Sequence, residues 1–325
     1  MTKRRDFLRS AVIAGLGVPL ARSSSLLHPR KAAMSISAPL LEPAKGETLI
    51  TVLHTNDTHS QIDPILDNDK NYAGKGGVTR RATLVKRVRR ENPNTLLIDG
   101  GDVLQGTPYF NFYKGEVEYK AMSMIGYDAG TLGNHEFDNG VESLAKALQF
   151  ANFDIVSTNY DVRGSALESK VKSHVVREVG GVRVGLFGMG ISPIGLITPD
   201  NFKPLQYLDP VRMARGVAKL LREQEHCALV LGMSHLGYYP ESTRGEIGDS
   251  QVAAQVDGID FIASGHNHTF MEKPVLQKTP SGKDTIIFQV GRSGIYVGRV
   301  DFTLRKGKVT AYAGRLLDLR DESLA

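Results

Sequence analysis

Leu132-Gly133-Asn134-His135-Glu136-Phe137-Asp138-Asn139-Gly140 closes an apolar run that begins at Ala129. Its residue types decide how the rest of the chain is read. The Asn134 amide oxygen is a neutral metal-type ligand. His135 and Asp138 are three positions apart, so on a helical turn they share one face. There Asp138 can orient and charge-stabilise His135, as a carboxylate does for a catalytic imidazole. The other reading of Asp138, as a helix cap, stays open at this point.

Outward from this stretch, four further apolar runs end in residues of the same kind. Leu49 to His54 leads into Asp57-x-His59, and Thr95 to Ile98 into Asp99-Gly100-Gly101-Asp102. Cys227 to Met233 leads into Ser234-His235, and Ile259 to Ala263 into Gly265-His266-Asn267-His268. Residues i and i+2 of an extended chain point to the same side, so Asp57 with His59, and His266 with His268, are each expected to meet one ion. Asp102 has two carboxylate oxygens and can bridge two ions. Each of these residues taken alone reads equally well as an ordinary polar side chain. Together they sit at the C-terminal ends of strands, where α/β folds place their sites. Two divalent metals held by Asp, His and Asn is the simplest arrangement that uses them all. Such donors accept zinc, manganese, iron, cobalt or magnesium.

Around these points the chain alternates strands and helices. Helices are expected over Val78 to Arg90, with Ala82, Val85 and Val88 inward, and over Glu116 to Ile125 and Val141 to Phe150. Another begins at Asp209-Pro210, an N-cap acid followed by proline at the first helical position. Strands are expected at Asp154 to Ser157 and Val182 to Met189, and residues 60–77 read as a loop. Thr285 to Val290, Ile295 to Leu304 and Val309 to Leu317 read as an antiparallel meander with a turn at Lys306-Gly307. The pattern predicts an α/β fold, a sandwich with mixed sheets. His54 is a candidate neighbour of the ligands. Arg80 and Arg81 are weighed as phosphate contacts but read better as exposed helix arginines, and Lys86-Arg87 and Arg89-Arg90 as the helix's solvated face.

The chain has 325 residues and one cysteine, Cys227, so no intramolecular disulfide framework exists, and that thiol reads as buried and inert. Residues 1–34 read as a leader: a basic segment with Arg4-Arg5 before Phe7-Leu8, then the apolar stretch Ala11 to Ala21. The arginine pair resembles a twin-arginine export signal, which places the mature protein in the periplasm or outside the cell. Residues 35–47 read as a linker and 48–325 as the catalytic domain. The leader carries seven Lys or Arg and one Asp, net +6, so of the chain's +5 the remainder holds about −1. The basic balance therefore gives no reason to expect nucleic-acid affinity. No apolar run reaches 18 residues, so no membrane association is expected once the leader is removed.

The motif set resembles the calcineurin-like metallophosphoesterases. The stretches Asp99-Gly100-Gly101-Asp102…Gln105-Gly106-Thr107 and Leu132 to Gly140 are similar to the bacterial 5′-nucleotidase branch. The likeness covers roughly residues 48–318. It implies a four-layer α/β/β/α sandwich with mixed sheets. It implies Asp57, His59, Asp102 and His268 at a first metal, and Asp102, Asn134, His235 and His266 at a second. His135 with Asp138 would be the catalytic dyad at the phosphoryl group. Position 268, Gln or Asn in some members, is His here. The implied reaction is hydrolysis of a small phosphorylated substrate, a nucleotide first, by metal-activated hydroxide. A 2′,3′-cyclic phosphodiesterase or nucleotide-sugar hydrolase shares the same metal domain, and a sulfur-ester hydrolase a related one. Family members carry a C-terminal base-binding domain, which is expected to be absent from a chain that stops at Ala325. The alternative is therefore a catalytic subunit that needs a separate partner resembling that domain. Tyr109 to Tyr113 and Leu236 to Pro240 are its candidate contact patches.

Overall fold

In the first strand, β1 (Thr48–Thr55), Ile50, Val52 and His54 face one side and Thr51 and Leu53 the other. All are buried, the signature of a strand covered on both faces. The structure is a computed structural model and describes residues 39–240 and 246–319. The expected leader, residues 1–34, lies outside the described residues.

The first half runs α1 (Val78–Glu91), β2 (Thr95–Asp99), α2 (Pro108–Tyr113), α3 (Glu116–Ile125), β3 (Ala129–Gly130), α4 (Val141–Ala147), β4 (Asp154–Val156), β5 (Tyr160–Asp161) and β6 (Val171–Lys172). It continues through β7 (His174–Val179), β8 (Val182–Met189), α5 (Pro199–Phe202), β9 (Gln206–Tyr207) and α6 (Pro210–Glu223). The last part holds β10 (Leu229–Ser234), α7 (Asp249–Gln255), β11 (Phe261–Ser264), β12 (Val275–Lys278), β13 (Asp284–Phe288), β14 (Tyr296–Arg305) and β15 (Lys308–Asp318).

One large sheet has the order β15-β14-β1-β2-β3-β4-β6, the other β12-β13-β11-β10-β8-β7, and β5 pairs with β9 in a separate two-stranded sheet. Within them β1, β2, β3 and β4 are mutually parallel, as are β8, β10, β11 and β13. Antiparallel β14, β7 and β12 make both sheets mixed. Ile50, Val52, Leu96 and Ile98 of the first sheet pack against Leu231, Met233, Phe261 and Phe288 of the second. Leu53 and Leu97 on the opposite face meet Leu84, Val85 and Val88 of α1 and Tyr119 and Met122 of α3. Phe187, Val230 and Ile262 on the outer face of the second sheet meet Val211, Ala214, Val217 and Leu221 of α6 and Val252 of α7. The layers are therefore helix, sheet, sheet, helix, the four-layer sandwich expected. The Asp209 cap is formed, with its carboxylate accepting from Arg212 N–H at 2.7 Å. Cys227 is buried, and burial pushes its thiol up.

The meander expectation needs correction. β14 and β15 do form a hairpin, and Lys306 and Gly307 have φ of 51° and 72°, the left-handed pair a tight primed turn requires. β13, however, belongs to the other sheet, parallel to β11. Its apolar residues on both faces, Ile286 with Phe288 and Ile287, suit a central strand. The chain changes sheets between Phe288 and Tyr296. His54 is also not a ligand's neighbour: it lies edge-on to Phe261 and Phe288, ring centroids 5.4 and 5.1 Å away, in the core between the sheets. Burial lowers its imidazole to about 3, so it stays neutral.

Candidate metal centre

The C-terminal ends of β1, β2, β3, β10 and β11 converge where the two sheets meet, and each delivers part of one cluster. Asp57, His59 and His268 form one group whose ligand atoms lie within 4.8 Å of one another. Asp102, His235 and His266 form a second. The groups adjoin: Asp57 Oδ1 is 3.3 Å from His268 Nε2 and 3.9 Å from both His59 Nε2 and His235 Nε2. Asn134 joins the second group, its Oδ1 3.1 Å from His266 Nδ1. All seven residues expected from sequence as ligands are thus brought together.

The i, i+2 argument is corrected in its geometry. Asp57 and His59 have φ of 50° and 48°, and His266 and His268 have 82° and 52°. These are left-handed, not extended. Asp102, at 52°, is left-handed too. Non-glycine residues adopt this region at a cost, and such outliers gather at functional sites. Here the curl folds each loop back over the strand end, so that donors from five loops fit in one place.

Two close approaches depend on glycine. A Cβ on Gly133 would lie 2.1 Å from Asp102 Oδ1, and one on Gly101, itself at φ +89°, would lie 2.8 Å from Gly133 N and 2.9 Å from His235 Nδ1. The β2 and β3 loops can therefore touch only without side chains there.

The protonation pattern suits cation binding. His235 Nδ1–H donates to Gly100 O at 2.8 Å, which leaves Nε2 to face Asp102 Oδ2 at 2.9 Å. His59 Nδ1–H donates to Leu104 O at 3.3 Å, so its Nε2 lone pair faces His268 Nε2 at 2.9 Å. These facing groups favour positive charge between them, supplied by a proton or by a metal ion. The electrostatics agree. Burial presses the His235 imidazole down, yet Asp102, Asp57 and the Gly100 carbonyl outweigh it and lift the group to about 10. Burial alone would raise Asp102, but His235, with His59 and His135, holds it well below the usual carboxylate range. Burial lowers His59, and burial with the neighbouring His235 lowers His266 to about 4, so both keep lone pairs available. The donor set, with two carboxylates, four imidazoles and one amide, fits two divalent ions.

His135 and Asp138 flank this cluster. The stretch His135–Phe137 is one turn of 3-10 helix, and His135 Nδ1 is 2.9 Å from Asp138 Oδ2. The His135 ring lies 5.4 Å from the His59 ring. Burial lowers the His135 imidazole, but the Asp138 bond, with Asp102 and Glu136, outweighs it and leaves it raised. Beneath the turn Phe137 is fully buried, edge-on to Tyr160 and Phe202, and Asn201 Nδ2 donates to Asp138 O at 2.8 Å. These contacts fix where His135 stands.

Three positioning residues were not legible as such. Asn56 Nδ2 donates to Asp57 Oδ2 at 2.6 Å and to Gly291 O at 2.7 Å. Gln289 Nε2 donates to Gly265 O at 2.7 Å, behind His266. Glu136 accepts from four backbone N–H groups, those of Gly133, Val103, Asp102 and Leu104, at 2.5, 2.8, 3.0 and 3.3 Å. It ties the loop bearing Asp102 to the loop bearing Asn134. Burial and the Asp102 charge push its carboxyl up to about 7, while the donors favour its ionised form. Glu136→Gln would turn an NH2 group toward those donors. We expect metal affinity to fall about 10- to 100-fold, as for other groups that hold ligands in place, read by calorimetric metal titration.

Two expectations about surface residues also change. Arg81 is buried, not exposed, and stands 5.9 Å from the Tyr127 ring, while Arg80 Nη1 is hydrogen-bonded to Gly74 O. Arg89 donates to Asp128 at 3.0 Å, so the basic run on α1 is only partly solvated. Of the aromatic patches, Phe112, Tyr113 and Tyr239 are exposed, while Phe110 and Leu236 are buried. Among the described residues no helix is long and apolar enough to cross a membrane.

Comparison with known proteins agrees with this geometry. The family model described as calcineurin-like phosphoesterase matches residues 50–270. The snake venom 5′-nucleotidase of Gloydius brevicauda is 31% identical over 296 residues, covering 84% of this chain and 48% of that protein. The trifunctional nucleotide phosphoesterase protein YfkN of Bacillus subtilis is 30% identical over 291 residues, 80% of this chain and 18% of that one. The crystal structure of a 5′-nucleotidase precursor from Thermus thermophilus superposes with a TM-score of 0.73 at 34% identity, over 83% of this chain and 54% of that one. The chain thus spans about half the length of the 5′-nucleotidases it matches.

Proposed function

The chain belongs to the calcineurin-like phosphoesterase family, and from that premise we propose that it hydrolyses phosphate monoesters of 5′-nucleotides at a two-metal centre. The observation that carries this reading is the pair of adjoining donor groups, Asp57 with His59 and His268 and Asp102 with His235 and His266. Asp57, His59, Asp102 and His268 would hold the first ion, and Asp102, Asn134, His235 and His266 the second. When bound, the ions would supply Lewis-acid polarisation of the phosphoryl oxygens and a nucleophile from water at neutral pH. Asp102 and Asn134 set the geometry of the donors. His135 is held by Asp138 through Nδ1, which leaves Nε2 to hydrogen-bond a phosphoryl or leaving-group oxygen.

The nucleotide part of the reading is supported by the named activities of the relatives, which are about twice as long as the match. A second reading rests on the exposed rings of α2: a catalytic subunit that works with a substrate-binding partner polypeptide. Residues 48–325 would be the catalytic domain. Residues 1–34 would be a leader that directs the protein out of the cytoplasm by the twin-arginine route.

Phosphate release from metal-loaded protein discriminates the readings. AMP, a 2′,3′-cyclic nucleotide, UDP-glucose and a simple aryl phosphate form the panel. Fastest turnover of AMP supports the first reading. Full metal loading with no turnover of any of the four contradicts it and favours the second.

A further inference from the structure

A cavity of about 980 Å³ opens beside the loop that carries His59. One wall is α2 and the turn before it. The other is the loop from Gln61 to Asn71, closed on itself by Gly74 N–H to Ile65 O at 2.8 Å, Ile65 N–H to Lys75 O at 2.8 Å and Val78 N–H to Ile62 O at 2.9 Å. The cavity is therefore preformed, and its volume is that of sites that enclose small organic ligands. Tyr109 and Tyr113 stack with centroids 6.5 Å apart and planes 29° apart. Phe112 is 79% exposed and Tyr113 53% exposed. Large rings are seldom left this open without a use, and these line the same cavity. Across from them, Gln61, Asn68 and Asn71 supply amides. Tyr109 Oη donates to Asp63 at 2.8 Å, which holds that ring in place.

The cavity adjoins the metal centre across its own wall. Gly106, which lines it, packs so closely on His59 that a Cβ there would lie 2.8 Å from His59 O. Thr107 Oγ1 donates to Ser60 O at 2.8 Å, and Gln61 follows His59 by two residues. The cavity and the candidate ligand His59 thus lie on opposite sides of one thin wall, with α2 on the cavity side.

We propose that this cavity is the subsite for the leaving group's heteroaromatic ring, with the nucleobase stacked on Phe112 and Tyr113 and its polar edge met by the amides. The inference rests on the phosphoesterase reading and adds to it that the base is gripped by this chain itself. Aromatic faces suit this because every base has a π-face, and such stacking carries little sequence preference.

The test compares AMP with ribose 5-phosphate, which lacks the ring, on metal-loaded full-length protein and on a Phe112→Ala/Tyr113→Ala variant. Both side chains are exposed, so the variant is expected to fold. The ratio of kcat/KM for AMP to that for ribose 5-phosphate should fall about 5- to 150-fold in the variant. An unchanged ratio overturns the proposal, as does an equal loss on both esters. Adenosine binding by saturation-transfer NMR is read in parallel, because it needs neither turnover nor metal. Should neither ester be hydrolysed, the phosphoesterase reading fails on its own. Adenosine signals lost in the variant would still support the subsite, and equal signals would overturn it. A wild-type chain that self-associates through α2, with adenosine binding unaltered in the variant, would assign the rings to a protein contact instead.

Discussion

Replacing His135 by asparagine is expected to lower kcat for phosphate release by about 10²- to 10⁴-fold while bound metal stays at the wild-type level. The two readouts separate because His135 does two things through different atoms. Its backbone N–H donates to Asp102 Oδ1 at 2.9 Å, and asparagine keeps that bond. Its imidazole is engaged with Asp138 and the adjacent His59 ring, and this side-chain function is what is lost. An asparagine side chain is shorter and cannot present a cationic donor to a phosphoryl oxygen. Steady-state kinetics with elemental analysis of the same samples checks the prediction. A variant that loses metal along with activity would show that His135 is a structural support of the centre.

Asp102→Asn is expected to do the opposite, removing metal and activity together. Asp102 Oδ2 faces His235 Nε2 at 2.9 Å while Oδ1 receives the His135 N–H, so both oxygens are committed. An amide can replace only one of them. Its NH2 would face either His235, where a cation belongs, or the His135 donor. Groups that merely support a ligand are worth about 10- to 100-fold, so loss of a shared anionic ligand should exceed about 10²-fold in activity. Asparagine is the informative variant because Asp102 has φ of 52°, a conformation that Asn tolerates and alanine resists. Metal titration by calorimetry gives the direct reading. Wild-type affinity in this variant would remove Asp102 from the centre.

Much of this site was legible because its signals are local. Each candidate ligand follows an apolar run, and such runs become strands whose ends the sandwich collects. The His135–Asp138 spacing is likewise a property of one turn. The helices over Val78–Glu91, Glu116–Ile125 and Pro210–Glu223 also follow from periodicity and caps. What was not legible depends on distant partners. The choice of β11 over β14 as neighbour of β13 is made by burial of Ile287 against the outer helices, which no local pattern encodes. The left-handed backbone at Asp57, His59, Asp102, His266 and His268 lacks the glycine that usually announces it. Loops from both sheets impose it, for instance where His266 N–H donates to Asp57 Oδ2 at 3.0 Å. Arg81 and Glu136 look like surface charges in sequence, yet tertiary packing buries both. Asn56 and Gln289 carry no motif of their own, since each hydrogen-bonds a candidate ligand or the backbone beside one.

Metal stoichiometry coupled to activity tests the central claim most directly. The protein would be stripped with a chelator, confirmed folded by circular dichroism, and titrated with a divalent metal while phosphate release from AMP is followed. The account predicts no turnover in the stripped protein, binding of two ions per chain, and activity that becomes full only when the second has bound. Turnover that survives chelation, or a chain that saturates with one ion and is fully active, would contradict it.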